Sequence, residues 1–374
     1  MSRLKTTFRR IIKGTIKTTG INKLIYAIIA PFVSQKFYGN AEQAHLALNQ
    51  FSSCPHGTSL TKNNIAEYEY DLQIIIPAYN VERYIEECID SILEQKTKYS
   101  YKIFIINDGS TDKTKEILER YTNNSKIEII HQDNKGFSGA RNKGLETIKA
   151  KYIAFVDSDD KLAAGAIEGL LNTATTENAD IVEGGFYRLD NELTVEYKHK
   201  KTKKVDATSY LKGYPCGKVF NSLLFSNIRF PENFWFEDSI GAFLLYPQAI
   251  SAFVIPDMVY IYRNNLTSIS HTALFKKKSI DTYWVTELLL SEQQQLNITK
   301  TETVFENFLK QIVLNYKRTK KMPENIQKHI FICTKDLLKK HFDNQSIKKY
   351  ARLIVALKNS DFGKYKYFCE LFLA

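Results

Sequence analysis

The chain has 374 residues, 44% of them hydrophobic and 25% charged, which excludes a disordered or fibrous protein and leaves material for two or three packed units. Its five scattered cysteines (Cys54, Cys88, Cys216, Cys333, Cys369) include no Cys-x-x-Cys pair, which argues against a disulfide framework or zinc ribbon and for a reducing, cytoplasmic setting. The net charge of +11 is uneven: residues 1–70 carry 9 Lys/Arg against 3 Asp/Glu, residues 71–271 carry 24 against 28, and residues 272–374 carry 19 against 10. The basic residues thus flank the segment that carries the motifs, which argues against nucleic-acid binding.

Arg3, Lys5, Arg9, Arg10, Lys13, Lys17 and Lys23 precede the first acidic residue, and an apolar run from Ile21 to Ala30 overlaps them. Lys23 and Pro31 make that run too short for a membrane span of about 20 residues. The pattern fits an amphipathic helix on an anionic membrane surface, a solvated basic arm, or a helix packed on the fold. No small-residue cleavage pattern follows cleanly, which disfavours a signal peptide.

Residues 71–77 form a β-branched run closed by Pro77, as expected of a buried parallel strand, and the turn Ala78-Tyr79-Asn80 leads into helical spacing at Tyr84, Ile85, Cys88, Ile89, Ile92 and Leu93. A second strand, Tyr101 to Ile106, ends at Asn107-Asp108-Gly109-Ser110-Thr111-Asp112, where Asp112 can cap a helix running towards Tyr121. A third, Ile127 to His131, leads into Asn134-Lys135-Gly136-Phe137-Ser138-Gly139 and a helix from about Ala140 to Ala150. The fourth, Tyr152 to Val156, stops at Asp157-Ser158-Asp159-Asp160. Strands alternating with helices predict a doubly wound α/β sheet whose special turns share one edge, where ligands bind.

Beyond Asp160 the spacing predicts a helix over about 163–177, a strand around Asp180–Tyr187 and a basic, hairpin-like stretch from Tyr197 to Lys204. Those lysines suit either an anionic partner or a solvated hairpin. Lys218, Arg229-Phe230-Pro231-Glu232 and Trp235-Phe236-Glu237-Asp238-Ser239 follow. From 272 onward the spacing is largely helical and free of Gly until Gly363. Three segments result: a basic extension (1–70), an α/β domain (71–271) and a helical appendage (272–374).

With these residues in order, the segment from about Leu72 to Ser270 resembles the inverting family-two glycosyltransferases of GT-A fold. The resemblance is carried by Ile76-Pro77-Ala78-Tyr79-Asn80, Asn107 to Asp112, Asn134-Lys135-Gly136 with Gly139-Ala140-Arg141-Asn142, Asp157 to Asp160, and Phe236-Glu237-Asp238. It implies a Rossmann-like mixed sheet flanked by helices, binding a UDP-sugar. In that frame Pro77, Ala78, Tyr79, Asn80 and Asp108 line the base site, and Asn134, Gly136, Arg141, Asp157 and Ser158 the rest of the donor site. Asp159, with a share from Asp157, would ligate Mn2+ or Mg2+ to neutralise the departing diphosphate. The role of Asp160 is left open. Arg263, followed by Ser268-Ile269-Ser270-His271, resembles a lid over the diphosphate. Asp238 matches the general base that inversion requires, with Glu237 beside it as a support or acceptor contact and Lys218 and Trp235 as acceptor contacts.

The expected activity is therefore a metal-dependent transfer of one hexosyl or N-acetylhexosaminyl group to a surface-glycan precursor, namely a lipid-linked oligosaccharide, capsular repeat or teichoic-acid-like polymer. The Gln-x-x-Arg-Trp element and membrane spans of processive relatives are absent from this sequence, which favours single addition. Cytoplasmic placement at the inner face of the membrane fits the basic flanks, and the C-terminal helices could mediate a homo-oligomer. A non-catalytic glycan- or membrane-binding protein of the same descent is the competing expectation. A nucleotidyltransferase is a third, but it leaves Glu237-Asp238 without a role.

Overall fold

The computed structural model describes residues 31–265 and 272–373. The basic segment 1–30 and the lid motif 268–271 lie outside these. In chain order the elements are α1 (Ala41–Phe51), β1 (Asn64–Ala78), α2 (Ile85–Leu93), β2 (Tyr101–Asp108), α3 (Thr114–Glu119), β3 (Ile127–Gln132), α4 (Gly136–Leu145), β4 (Thr147–Phe155), β5 (Lys161–Leu162), α5 (Ala166–Thr176) and β6 (Ile181–Leu189). They continue with β7 (Leu193–Tyr197), β8 (Lys203–Val205), α6 (Ala207–Tyr210), β9 (Lys218–Asn221), β10 (Ala252–Arg263), α7 (Asp281–Gln295), α8 (Glu302–Thr319), α9 (Glu324–Phe342), α10 (Ala351–Lys358) and α11 (Phe362–Leu373).

Among the described residues the chain forms two compact units rather than three consecutive segments. Residues 55–272 with 284–299 make one, and residues up to 54 with 273–283 and those from 300 onward make the other. Composition placed the boundaries by charge, whereas packing sets them. In α1, capped by the Asn40 side chain accepting from the Gln43 amide at 3.0 Å, Ala44 and Leu48 are buried, and the helix lies against α9. Rings of Phe305 and Phe308 stack on Phe342 at 5.0 and 5.1 Å, and Phe331 meets Phe362 at 5.5 Å, giving this helical unit an aromatic core. No helix among the described residues is long and apolar enough to cross a membrane.

The other unit is built on one mixed sheet of order β3-β2-β1-β4-β9-β6-β10-β5, with β7 paired to β6 and β8 to β10. As the spacing predicts, β3, β2, β1 and β4 run parallel, so their carboxyl ends and following turns share an edge. The alternation breaks at β9, which lies antiparallel between β4 and β6. Leu72, Ile74, Ile76, Ile103 and Ile105 pack in one core with Ile85, Ile89 and Ile92 of α2. Phe155 carries edge-on contacts with Phe220, Phe225 and Phe230 at 5.2–6.3 Å.

Three boundaries differ from the sequence reading. α4 ends at Leu145 rather than about Ala150, because buried Gln73 on β1 donates to the Gly144 and Thr147 carbonyls at 2.7 and 3.3 Å and accepts from the Lys149 amide at 3.0 Å. These bonds close the helix and start β4 immediately. β1 begins at Asn64, not Asp71, since Asn64 and Ile65 already pair with Thr147 and Ile148. The basic stretch is no hairpin: β6 and β7 form the hairpin through residues 190–192, while Lys198, Lys200 and Lys201 link β7 to β8, which carries Lys203 and Lys204.

Candidate active site

Turns at the ends of the parallel strands are tied to one another by side chains. The Asn80 backbone has φ 52°, a left-handed conformation that Asn tolerates, and its Oδ1 accepts from the Thr111 amide at 2.8 Å. Ser110 Oγ accepts from the Asn80 amide at 3.1 Å, and Asp112 accepts from the amides of Glu82 and Thr114 at 3.0 and 2.9 Å, so the first two turns brace each other. Asp108 is buried, and its Oδ1 accepts from Gln132 Nε2 at 2.6 Å and the Lys135 amide at 2.8 Å, holding the third turn. Asn134 Oδ1 accepts from the amide of Gly136, whose φ of 71° suits glycine. Tyr79 is 49% exposed at this edge, a free aromatic face beside the half-buried Pro77 and buried Ala78.

The acidic turn after β4 is the densest polar network. Asp157 Oδ1 accepts from Arg141 Nη2 at 2.8 Å, and the Cys216 thiol donates to its Oδ2 at 3.3 Å. Arg141, 6% exposed, also gives Nη1 to Glu237 Oε1 at 2.5 Å, and its guanidinium lies 5.2 Å from the Phe230 ring centre. Two carboxylates hold this buried cation charged, against the burial that disfavours it. Ser158 is buried within the turn. Asp159 Oδ2 accepts from Asn265 Nδ2 at 3.1 Å, and burial, then Asp157, raises its carboxyl above the ordinary range. Asp160 faces the core: Tyr260 Oη donates to Oδ2 at 2.8 Å and the Arg263 amide to Oδ1 at 2.7 Å.

Arg141 links this turn to the Glu–Asp motif. Phe236, a bulky residue at φ 66°, is held in left-handed backbone, a strain of about 1–3 kcal/mol that turns the chain into Glu237 and Asp238. Burial pushes the Glu237 carboxyl up to about 7 against the pull of Arg141, and Asp238 adds to the rise. Asp238 itself is half-buried, and the ring of the half-buried Trp235 meets Phe236 edge-on at 6.3 Å.

Four of the expected site residues are engaged by the protein itself. Lys218 is no acceptor contact: it is 1% exposed and ion-pairs with Glu183 at 2.9 Å, its direct neighbour across β9 and β6, while donating to the Tyr214 carbonyl at 2.7 Å. Of the two roles expected of Glu237, its bond to Arg141 suits the support. Arg141 in turn serves protein carboxylates, with only Nε left without a partner. Arg263 is tied to the acidic turn: its Nε donates to the Asp159 carbonyl at 2.9 Å, its Nη2 meets Glu87 at 3.0 Å, and its guanidinium lies over the Tyr84 ring at 4.9 Å. The sequence reading missed Tyr260, Cys216 and Asn265; the alternating Val259-Tyr260-Ile261-Tyr262-Arg263 strand was the available signal for the first. Among the described residues no three His, Cys, Asp or Glu side chains are grouped to hold a metal ion alone. A cation would need oxygens from a bound diphosphate as well, which suits an acidic turn open to a ligand.

Parallel strands ending in paired acidic turns, joined through a buried arginine to a strained Glu–Asp turn, define a GT-A sugar-nucleotide fold, and residues 73–249 match the sequence model of Glycosyl transferase family 2. That segment, just under half of the chain, is similar to the family-two glycosyltransferases. Over 217 residues it is 34% identical to the uncharacterized glycosyltransferase EpsJ of Bacillus subtilis (strain 168), a match covering 53% of this chain and 62% of that protein. A second similarity, 32% over 183 residues, covers 46% of this chain and 20% of the minor teichoic acid biosynthesis protein GgaB of the same organism. The chain thus spans under two thirds of either relative. In fold it is similar to the crystal structure of S. aureus TarS 1–349 in complex with UDP-GlcNAc, with a TM-score of 0.66, 20% identity, and coverage of 81% of this chain and 91% of that one.

Proposed function

We propose that the protein transfers one sugar, with inversion, from a UDP-sugar to a hydroxyl of a surface-glycan precursor. The observation that carries this reading is the Arg141 bridge, which ties the acidic turn to the turn bearing Asp238. Tyr79 offers a face for the uracil, and Asp108, whose Oδ1 is engaged, has a second oxygen for a base N–H. Asp159, beside Asp157, would hold Mn2+ or Mg2+; such a cation supplies positive charge against the leaving diphosphate. Asp238 takes the proton of the acceptor hydroxyl as its oxygen bonds to the anomeric carbon and the bond from that carbon to the diphosphate oxygen breaks, releasing UDP. Arg141 keeps Asp157 and Glu237 fixed while charge moves, so neither need reorganise.

The acceptor we favour is a lipid-linked or teichoic-acid-like glycan, supported by the similarity to the minor teichoic acid biosynthesis protein GgaB and by the lysines at 198–204. A peripheral position on the inner face of the cell membrane, through the basic amino-terminal segment, belongs to the same reading, as does a homo-oligomer through the C-terminal helices. The test is hydrolysis and transfer with a panel of UDP-sugars, with and without Mn2+, for the wild type and Asp238→Asn. The variant should keep donor affinity and lose transfer by a factor of about 100 or more. Wild-type rates in that variant would remove Asp238 as the base. No turnover of any UDP-sugar by the wild type, with vesicle binding intact, would instead favour a non-catalytic binding protein.

A further inference from the structure

We infer that Tyr260 and Asp160 form a positioning pair that sets the direction in which Asp157 and Asp159 face a donor. Resting on the donor-site reading above, this gives a task to the one carboxylate of the turn that the sequence left unassigned. Tyr260 lies on β10, opposite Leu162 of β5 and Phe186 of β6, with its hydroxyl under the acidic turn. The Asp157 amide donates to that hydroxyl at 3.0 Å, so the phenolic proton is the one given to Asp160 Oδ2 at 2.8 Å. Asp160 accepts at its other oxygen from the Arg263 amide, and its own amide donates to the Asp157 carbonyl at 2.9 Å. Both Asp160 oxygens are spent on β10, and the residue is 2% exposed, so it has nothing to offer a ligand.

The turn is therefore fastened to one strand at Asp157, through its amide, at Asp159, through its carbonyl and Arg263 Nε, and at Asp160, through its side chain. Fixing these peptide planes fixes the Cα–Cβ directions of the two carboxylates between them. A tyrosine retained only for packing would need one partner for its hydroxyl. This one joins two groups of a single four-residue turn, a part-buried amide and a buried carboxylate, that would be costly to leave unmet.

The experiment is calorimetric titration of UDP, with and without MnCl2, into the wild type, Tyr260→Phe, Asp160→Asn and the double variant, with Tm measured alongside. The wild type should bind UDP more tightly with manganese. Each single variant should lose about tenfold or more of that gain, the consequence of leaving one polar group unsatisfied, with a clearly smaller loss of metal-free UDP affinity. Because the two residues act as a unit, the double variant should be no weaker than Tyr260→Phe. Should Tyr260→Phe fail to fold, Asp160→Asn carries the comparison alone, since it keeps the acceptor for the Arg263 amide. Full retention of the manganese gain in the single variants would overturn the pairing, as would equal loss of both affinities in step with Tm, or additive losses. A wild type whose UDP binding manganese does not improve would overturn it too, and one that binds no UDP at all would overturn the donor reading beneath it.

Discussion

Lys218→Met tests whether this lysine is a core ion rather than a ligand contact. Its ammonium and the Glu183 carboxylate are fully enclosed at 2.9 Å, with His199 Nε2 3.2 Å from the other Glu183 oxygen and the Lys212 amide donating at 2.9 Å. Burial alone would raise Glu183, yet Lys218, His199 and that amide hold it down to about 2 from an ordinary 4.5. That depression corresponds to about 3 kcal/mol of stability at neutral pH. Stranding one partner of a buried pair costs about 3–5 kcal/mol by an independent route, so the two magnitudes agree.

A carboxyl depressed in the folded state stabilises above its unfolded pKa and loses that contribution as pH falls towards the folded value. The wild type should therefore shed this stability between about pH 5 and 2, and Lys218→Met should lack it already at pH 7. Urea unfolding followed by circular dichroism across that pH range reads both effects. The expected difference is about 3–5 kcal/mol at pH 7, shrinking on acidification, with most of it recovered in Lys218→Met/Glu183→Leu. A Lys218→Met protein of wild-type stability with a raised acceptor KM would refute the argument and return Lys218 to the acceptor site.

Asp159→Asn should weaken manganese-dependent UDP binding by about tenfold or more without altering metal-free binding, since it removes the carboxylate charge facing the donor; equal affinities with manganese would detach Asp159 from any cation. Gly144→Ala should destabilise by about 1–3 kcal/mol, because the added carbon would sit 2.6 Å from Ile75 Cγ2 where α4 crosses β1; an unchanged Tm would mean that this crossing relaxes freely.

What was legible in the sequence was local. Each parallel strand is announced by a β-branched run and each site turn by residues adjoining it, so β1 to β4, their common edge and the turns at Asn80, Asp108, Gly136 and Asp157 could be placed from the chain alone. Pairings across sequence could not. Lys218 looked like a surface contact because its neutralising partner, Glu183, lies on a different strand, and only the antiparallel insertion of β9 brings them opposite. The end of α4 was misplaced for the same reason, since the side chain that stops it is Gln73, on β1.

The acidic turn joins these two kinds of information. Three carboxylates within four residues are chemically alike in a sequence, and their separation comes from donors that distant segments bring to them. Arg141 and Cys216 occupy both oxygens of Asp157. Tyr260 and Arg263 turn Asp160 inward. Asp159 receives one neutral amide donor at its carboxylate, while burial and its neighbour Asp157 raise the cost of its charge. A cation gains most where a carboxylate is least compensated, so of the three it is Asp159 whose charge a metal–diphosphate complex would best relieve.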